Sequence, residues 1–330
     1  QSTQGAVATL SSTDEGLASA PKRGLAYDDP NKADKPLEHR TKKVPSSLSL
    51  RIGTVNVGSM YQRSGCVVEM VGRRELDFCC LQETRWMGAS NRMIEGGNKR
   101  YKFYWKGCEE GTSGVGILIA EKWVDKVIDV QKISERLMMI RMAIGKRVIN
   151  LISAYAPHPG RAAKEKEEFW KSVFELLMGI STEESVFVCG DLNGHVGSDP
   201  GGYRGVHGGN GYGTRNAEGE MILEFAVAMD LVISNTFFVK EEPKTITYES
   251  GGCRSAIDFV LVRKREQSMV KDLKVINGEE ILPQHKLLIC KVVIDESVKR
   301  KDDRTIPKTM LWKLKKCDVR EKFRLEVERN

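Results

Sequence analysis

Short apolar runs rich in β-branched residues recur along the middle of the chain, at 48–57, 76–81, 101–105, 115–120, 127–133, 137–143, 148–156, 185–189, 231–234, 245–248, 256–262, 269–276 and 287–294. Runs of this length, bounded by turn-forming residues, predict strands. Helical spacing is clear in two places. In 162–180, Phe169, Val173, Leu176, Leu177 and Ile180 form one apolar stripe, and in 217–229 Met221, Leu223, Phe225 and Ala228 form another. Each of these helices leads directly into a strand. Many strands with few helices, and no regular βαβ rhythm or internal repeat, predict an α/β (α+β) protein. Its expected architecture is a four-layer sandwich in which helices flank two mostly antiparallel sheets.

The pattern stops at both ends. Residues 1–46 are rich in Ser, Thr, Ala, Asp, Lys and Pro without sustained periodicity, which predicts a disordered leader. Residues 297–330 open on the charged stretch 299–304 and end in a weak helical pattern over 312–328, read as a basic linker or partial helix. A length of 330 residues could hold two domains, but the continuous apolar pattern predicts one, spanning 47–296.

Charge changes the picture less than its total suggests. The net +7 divides into 7 basic and 6 acidic residues in 1–46, 33 of each in 47–296, and 12 basic against 6 acidic in 297–330. The body is balanced, so the overall excess says little about its surface. No apolar run is long enough to span a bilayer, and the N-terminus lacks the pattern of a secretory signal. Of the eight cysteines, Cys79, Cys80, Cys189 and Cys290 sit inside apolar runs, and no zinc-type spacing appears. Reduced, buried thiols in an intracellular protein are expected.

The chemistry lies where the apolar runs end. Run 48–57 closes on Thr54-Val55-Asn56, run 76–81 leads into Gln82-Glu83-Thr84, and run 148–156 closes on Tyr155, followed by Pro157-His158. Run 185–189 leads into Gly190-Asp191-Leu192-Asn193-Gly194, while Asp258 and His285 stand at the starts of two others. In an antiparallel sheet one strand's end lies beside its neighbour's start, so all of these can share a rim. Singly, each has a plainer reading: Asn56 as a turn or cap, Glu83 as a solvated charge, 190–194 as a turn, and His39, His195 and His207 as structural histidines. Asp258 is harder to dismiss, because an acid between Ile257 and Phe259 must be paired or hold a cation. One convergent site explains the ordered set most economically.

That set resembles the endonuclease/exonuclease/phosphatase superfamily, the group of DNase I and the apurinic endonucleases. The matching segments are 51–56, 81–84, 153–157, 190–193, 256–260 and His285. More narrowly, 211–216 with Gly219 and 223–225, then 235–237 and 245–248, look like the endonuclease of LINE-type, RTE-clade non-LTR retrotransposons and craniofacial development protein 2-like proteins. The resemblance implies a DNase I-like fold and a Mg²⁺-dependent DNA endonuclease leaving a 3′-hydroxyl, with Mn²⁺ as a substitute ion. It implies Glu83 and Asn56 as metal ligands, and Asp191, with Asn193 orienting it, as the group that activates water. His285 would bind the phosphate as imidazolium or act as general acid, Tyr155 would donate to the developing charge on the phosphate, and Asp258 would orient His285 or join the metal site. His158, Asn216 and Thr247 would bind substrate. Double-stranded DNA as partner, a reverse transcriptase domain outside this chain, a monomeric state and a nuclear location go with the same likeness.

Two departures qualify it. Relatives carry Asp-His before the last strand where this chain has Gln284-His285, and Asn where this chain has His158. Gln284 cannot supply a carboxylate. A second reading therefore stands beside the first: a domesticated, catalytically weakened or inactive module that binds nucleic acid or protein.

Overall fold

A computed structural model describes residues 47–279 and 281–295. The leader and the linker or partial helix lie outside the described residues. With strands and helices numbered in chain order, one sheet has seven strands in the order β14 (Val270–Ile276), β15 (Leu287–Asp295), β1 (Ser47–Asn56), β2 (Phe78–Gln82), β5 (Val115–Ala120), β4 (Lys99–Lys106) and β3 (Ala89–Gly96). The other has six: β10 (Leu231–Ile233), β13 (Asp258–Arg263), β9 (Ser185–Asp191), β8 (Arg147–Tyr155), β7 (Leu137–Ile144) and β6 (Val127–Ser134). A separate hairpin joins β11 (Tyr248–Ser250) to β12 (Cys253–Ser255).

Each large sheet contains one parallel pair, β1 with β2 and β8 with β9, and is otherwise antiparallel. A parallel pair needs a crossover. Helix α1 (Ser64–Arg73) supplies it in the first sheet and α2 (Ala163–Met178) in the second.

Period-two alternation builds the layers. The inner-face residues Leu50, Ile52, Phe78, Cys80, Ile117, Leu151, Phe187, Cys189, Val260 and Val262 meet in the core between the sheets. Val67, Val68, Met70 and Val71 of α1 cover the outer face of the seven-stranded sheet, against Cys79, Leu81 and Leu118. On the far side, α2 and α3 (Ala217–Ala228) bury Phe169, Val173, Leu223 and Phe225 against Ile152, Val188 and Leu261. The four layers and the two expected helices are present. Cys79, Cys80, Cys189 and Cys290 are buried free thiols, and no described helix is long and apolar enough to cross a membrane.

Three elements differ from the sequence expectation. Helix α1 lacks a side-chain cap, contains Gly65 and Gly72 and is rich in valine, so packing rather than propensity makes it helical. Strand β3 is largely exposed and polar, and takes its conformation from full pairing with β4. The run 245–248 is not a strand over its first three residues; only Tyr248 belongs to one, β11.

Candidate active site

The inner-face alternation that fills the core turns polar at the carboxyl ends of both parallel pairs. On β1, Leu50 and Ile52 are followed by Thr54 and Asn56; on β2, Phe78 and Cys80 by Gln82; on β8, Leu151 by Ser153 and Tyr155; on β9, Phe187 and Cys189 by Asp191. Register aligns them: Asn56 opposite Gln82, Tyr155 opposite Asp191, and Asp191 opposite Asp258 at the start of the antiparallel β13. Gly190 permits the close approach of β8 and β9, since a Cβ there would lie 1.8 Å from the Ala154 carbonyl oxygen.

A buried polar floor underlies the site. The Gln82 amide donates to Ser153 Oγ at 3.1 Å and to Thr54 Oγ1 at 3.3 Å, and Ser153 Oγ donates to the Leu81 carbonyl at 3.1 Å. Above it, Asn56 Nδ2 donates to Glu83 Oε1 at 2.9 Å and to Asp191 Oδ2 at 3.1 Å, so one amide joins carboxylates from the two sheets. Tyr155 Oη donates to Glu83 Oε1 at 2.8 Å. His285 Nδ1 meets Asp258 Oδ2 at 3.0 Å, and its Nε2 lies 3.7 Å from Asp191 Oδ2. Glu83 and Asn193 adopt left-handed backbone, at φ of 51° and 50°. Such conformations are costly for residues other than glycine and cluster at functional sites. The Asn193 amide donates to Asp191 Oδ1 at 3.0 Å while its side chain ties to the Ala156 carbonyl.

Electrostatics separates the groups. Burial works against the charge on Glu83, but hydrogen bonds from Asn56, Tyr155 and Arg85 outweigh it and hold the carboxyl below its usual range. Asp191 is pushed up to about 7 by burial and by neighbouring Asp258, despite the opposing His285. Burial disfavours the His285 imidazolium, yet Asp258 and Asp191 raise it to about 9. Burial and Glu83 keep the Tyr155 proton firmly on its oxygen. At neutral pH the site thus holds a charged Glu83, an Asp191 near its titration midpoint, an imidazolium and a phenol donor.

Of the expected site residues, the structure gathers Asn56, Glu83, Tyr155, Asp191, Asn193, Asp258 and His285 into one cluster, joined by hydrogen bonds and by the 3.7 Å contact of His285 with Asp191, and gives the rest other contacts. Thr247 is fully buried, and its Oγ1 accepts the Ile257 and Asp258 amides at 3.0 and 3.1 Å. It sets the start of β13. Asn216 is the N-cap of α3: its Oδ1 accepts the Gly219 amide at 2.8 Å and the His195 amide at 2.9 Å. His158 is exposed, with Nδ1 accepting the Gly160 amide of its own turn. The Asn56 Oδ1 accepts the Gly58 amide at 3.0 Å while its NH₂ faces the carboxylates of Glu83 and Asp191. His207 is a buried structural histidine bonded to Gly197 and Gly209.

Gln284 turns its amide to Ser250 Oγ at 2.9 Å on the exposed hairpin, so the carboxylate that charges His285 is Asp258. Two arginines at the cluster carried no sequence signal. Arg85 pairs with Glu83 Oε2 at 3.1 Å, and Arg136 stacks on the Tyr155 ring. Arg85 could have been marked by its place next to the segment 81–84, whereas Arg136 adjoins none of the quoted segments.

Oxygen donors dominate the cluster, as a hard divalent cation requires. Glu83 is charged, partly accessible at 21% of its side chain, and lies across Asn56 from Asp191. Asp191, Asp258 and His285 also present ligand atoms within 4.8 Å of one another, and Asp258 Oδ1 is buried without a partner. In that trio, however, Asp258 Oδ2 is already engaged by His285 Nδ1 at 3.0 Å. The residues fit a cation held at Glu83.

Fold and cluster together define a hydrolytic nuclease or phosphatase architecture, and the chain belongs to the endonuclease/exonuclease/phosphatase family, whose model matches residues 53–273. Among curated proteins it is similar to craniofacial development protein 2 of Bos taurus, with 29% identity over 244 residues covering 73% of this chain and 40% of that protein. It therefore spans well under half the length of that relative. Among solved structures it resembles the endonuclease domain of TRAS1, a telomere-specific non-LTR retrotransposon, at a TM-score of 0.51 and 13% identity over 74% of this chain and 98% of that one. It also resembles the 3′ phosphatase NExo from Neisseria, bound to product DNA hairpin, at a TM-score of 0.53 and 16% identity over 74% and 99%. At such identities the two structures establish the shared fold.

Proposed function

We propose that this protein is a Mg²⁺-dependent DNA endonuclease of retrotransposon origin that nicks double-stranded DNA and leaves a 3′-hydroxyl. The observation that carries this reading is the pairing of an Asp258-held His285 imidazolium with Asp191, facing a Glu83 that Asn56 and Tyr155 keep charged. A similar fold bound to product DNA supports DNA as the substrate class.

Glu83 would hold the cation, which when bound polarises the scissile phosphate and stabilises the leaving 3′-oxygen. Asp191 takes the proton of the attacking water in the fraction of molecules where it is ionised, and its value of about 7 makes it a competent base near neutrality. His285 and Tyr155 donate to phosphate oxygens as charge builds on them. Asp258 keeps the imidazole charged and oriented. A monomeric protein acting in the nucleus, with a reverse transcriptase domain outside this chain, is the setting this reading calls for. The test is conversion of supercoiled plasmid to open circles with Mg²⁺, lost in Glu83→Ala and His285→Ala. DNA binding without turnover would instead favour the inactive-module reading.

A further inference from the structure

Arg136 occupies the turn between β6 and β7, directly across the β7–β8 ladder from Tyr155. Leu137 pairs with Ala154, and the Tyr155 amide donates to the Arg136 carbonyl at 2.8 Å. The guanidinium carbon stands 5.0 Å from the centre of the Tyr155 ring, and Nη2 donates to Glu165 Oε1 at 2.8 Å from the first turn of α2. Only 14% of the side chain is exposed. Nη1 is buried and has no hydrogen-bond partner.

A buried N–H without an acceptor is unfavourable, and an apolar side chain of similar volume would fill the space without that penalty. What the guanidinium adds is a planar cation on the face of the phenol, the one electron-rich surface it has not exchanged for an oxygen. With Nη1 buried and Nη2 on Glu165, the contact that the guanidinium makes toward the site is the one with the tyrosine ring.

We propose that Arg136 is a positioning residue: anchored by Glu165 on α2, it clamps the Tyr155 ring from one face and so fixes the hydroxyl at Glu83, where it meets the substrate phosphate. This rests on the reading of Tyr155 as a phosphate donor. The clamp ties the crossover helix of the six-stranded sheet to a side chain that reaches the carboxylate of the seven-stranded one. Substrate affinity should be little affected, and turnover should fall when the ring is released.

The test uses the full chain with Arg136→Met and Arg136→Lys, measured for plasmid nicking, thermal unfolding and ¹⁹F NMR of 3-fluorotyrosine at position 155, assigned with Tyr155→Phe. Arg136→Met should lower kcat by about five- to thirty-fold, the span of a desolvated cation–π contact, with KM and unfolding temperature held. Its ¹⁹F resonance should shift and broaden, and Arg136→Lys should recover most of the rate. An unchanged kcat in Arg136→Met, where Tyr155→Phe loses nicking, would overturn the proposal; so would a rise in KM alone. If the wild-type chain does not nick DNA, the functional reading fails, while the ¹⁹F signal still decides the clamp: an unmoved resonance in Arg136→Met rejects it.

Discussion

Asp258 holds the imidazole of His285 through an Nδ1···Oδ2 contact of 3.0 Å, and it does so from β13, not from the position beside the histidine in the chain. That neighbouring position is Gln284, turned outward to Ser250. The histidine's charge therefore depends on an acid 27 residues upstream, fully buried on β13. Asp258→Asn should leave the imidazole neutral near pH 7.5 and reduce the nicking rate by about 10²- to 10⁴-fold, the usual weight of a positioned acid or base. Gln284→Asp should change the rate far less. Steady-state plasmid nicking measures both.

The paired shifts fix a pH trend. Asp191 rises from 3.8 to about 7, and His285 from 6.5 to about 9. A group whose folded value is raised contributes stability below its unfolded value and loses it as pH climbs through the folded one. Both contributions therefore decline with rising pH, Asp191 below about 7 and His285 between 6.5 and about 9. In chelator, the unfolding temperature should fall from pH 5 to pH 9, and Asp191→Asn should flatten the lower half of that slope. Thermal scans across this range check it, and a temperature that climbs with pH would contradict the assignment.

Thr247 links two main-chain amides at the mouth of β13. Thr247→Val removes the acceptor and leaves both N–H groups buried, at a cost of about 1–3 kcal/mol per orphaned group, whereas Thr247→Ser keeps the oxygen. Denaturant titration should rank wild type and Thr247→Ser above Thr247→Val. Nicking by Thr247→Val should fall as well, because Asp258 is the residue it sets.

Asn216 makes the contrasting case. As an N-cap, its replacement by Ala should cost about 1 kcal/mol of stability, typical of such caps. The nicking rate of the folded protein should remain that of wild type. A rate loss larger than the stability loss explains would restore Asn216 to the substrate surface.

Much of the fold was legible because the sheets alternate with period two and their inner residues are unambiguous: Phe78, Cys80, Phe187 and Val260 belong to runs that only a buried strand accommodates. Strand β3 was not, since Ala89–Gly96 is polar and exposed and owes its form to β4. Helix α1 was hidden by valines and glycines that favour other conformations. At the site, Asn56, Tyr155 and Asp191 could be found because each continues the inner-face series of its strand past the apolar positions, and Asp258 because it begins the series of β13 ahead of Val260 and Val262. The contacts of Thr247 and Asn216 were not legible for a common physical reason. Both are polar residues immediately ahead of a strand or helix, and sequence does not distinguish a side chain that bonds to nearby backbone from one that faces a ligand. Arg136 went unnoticed because its meaning lies across a strand pair, in a partner 19 residues away that only the register brings opposite.

The central claim is turnover. The purified 330-residue chain, incubated with supercoiled plasmid and Mg²⁺ and sampled over time, should produce open circles whose nicks are extended by a DNA polymerase, showing a free 3′-hydroxyl. Glu83→Ala and His285→Ala should lose this activity by several orders of magnitude. Nicking no faster in the wild type than in those two variants would contradict the account.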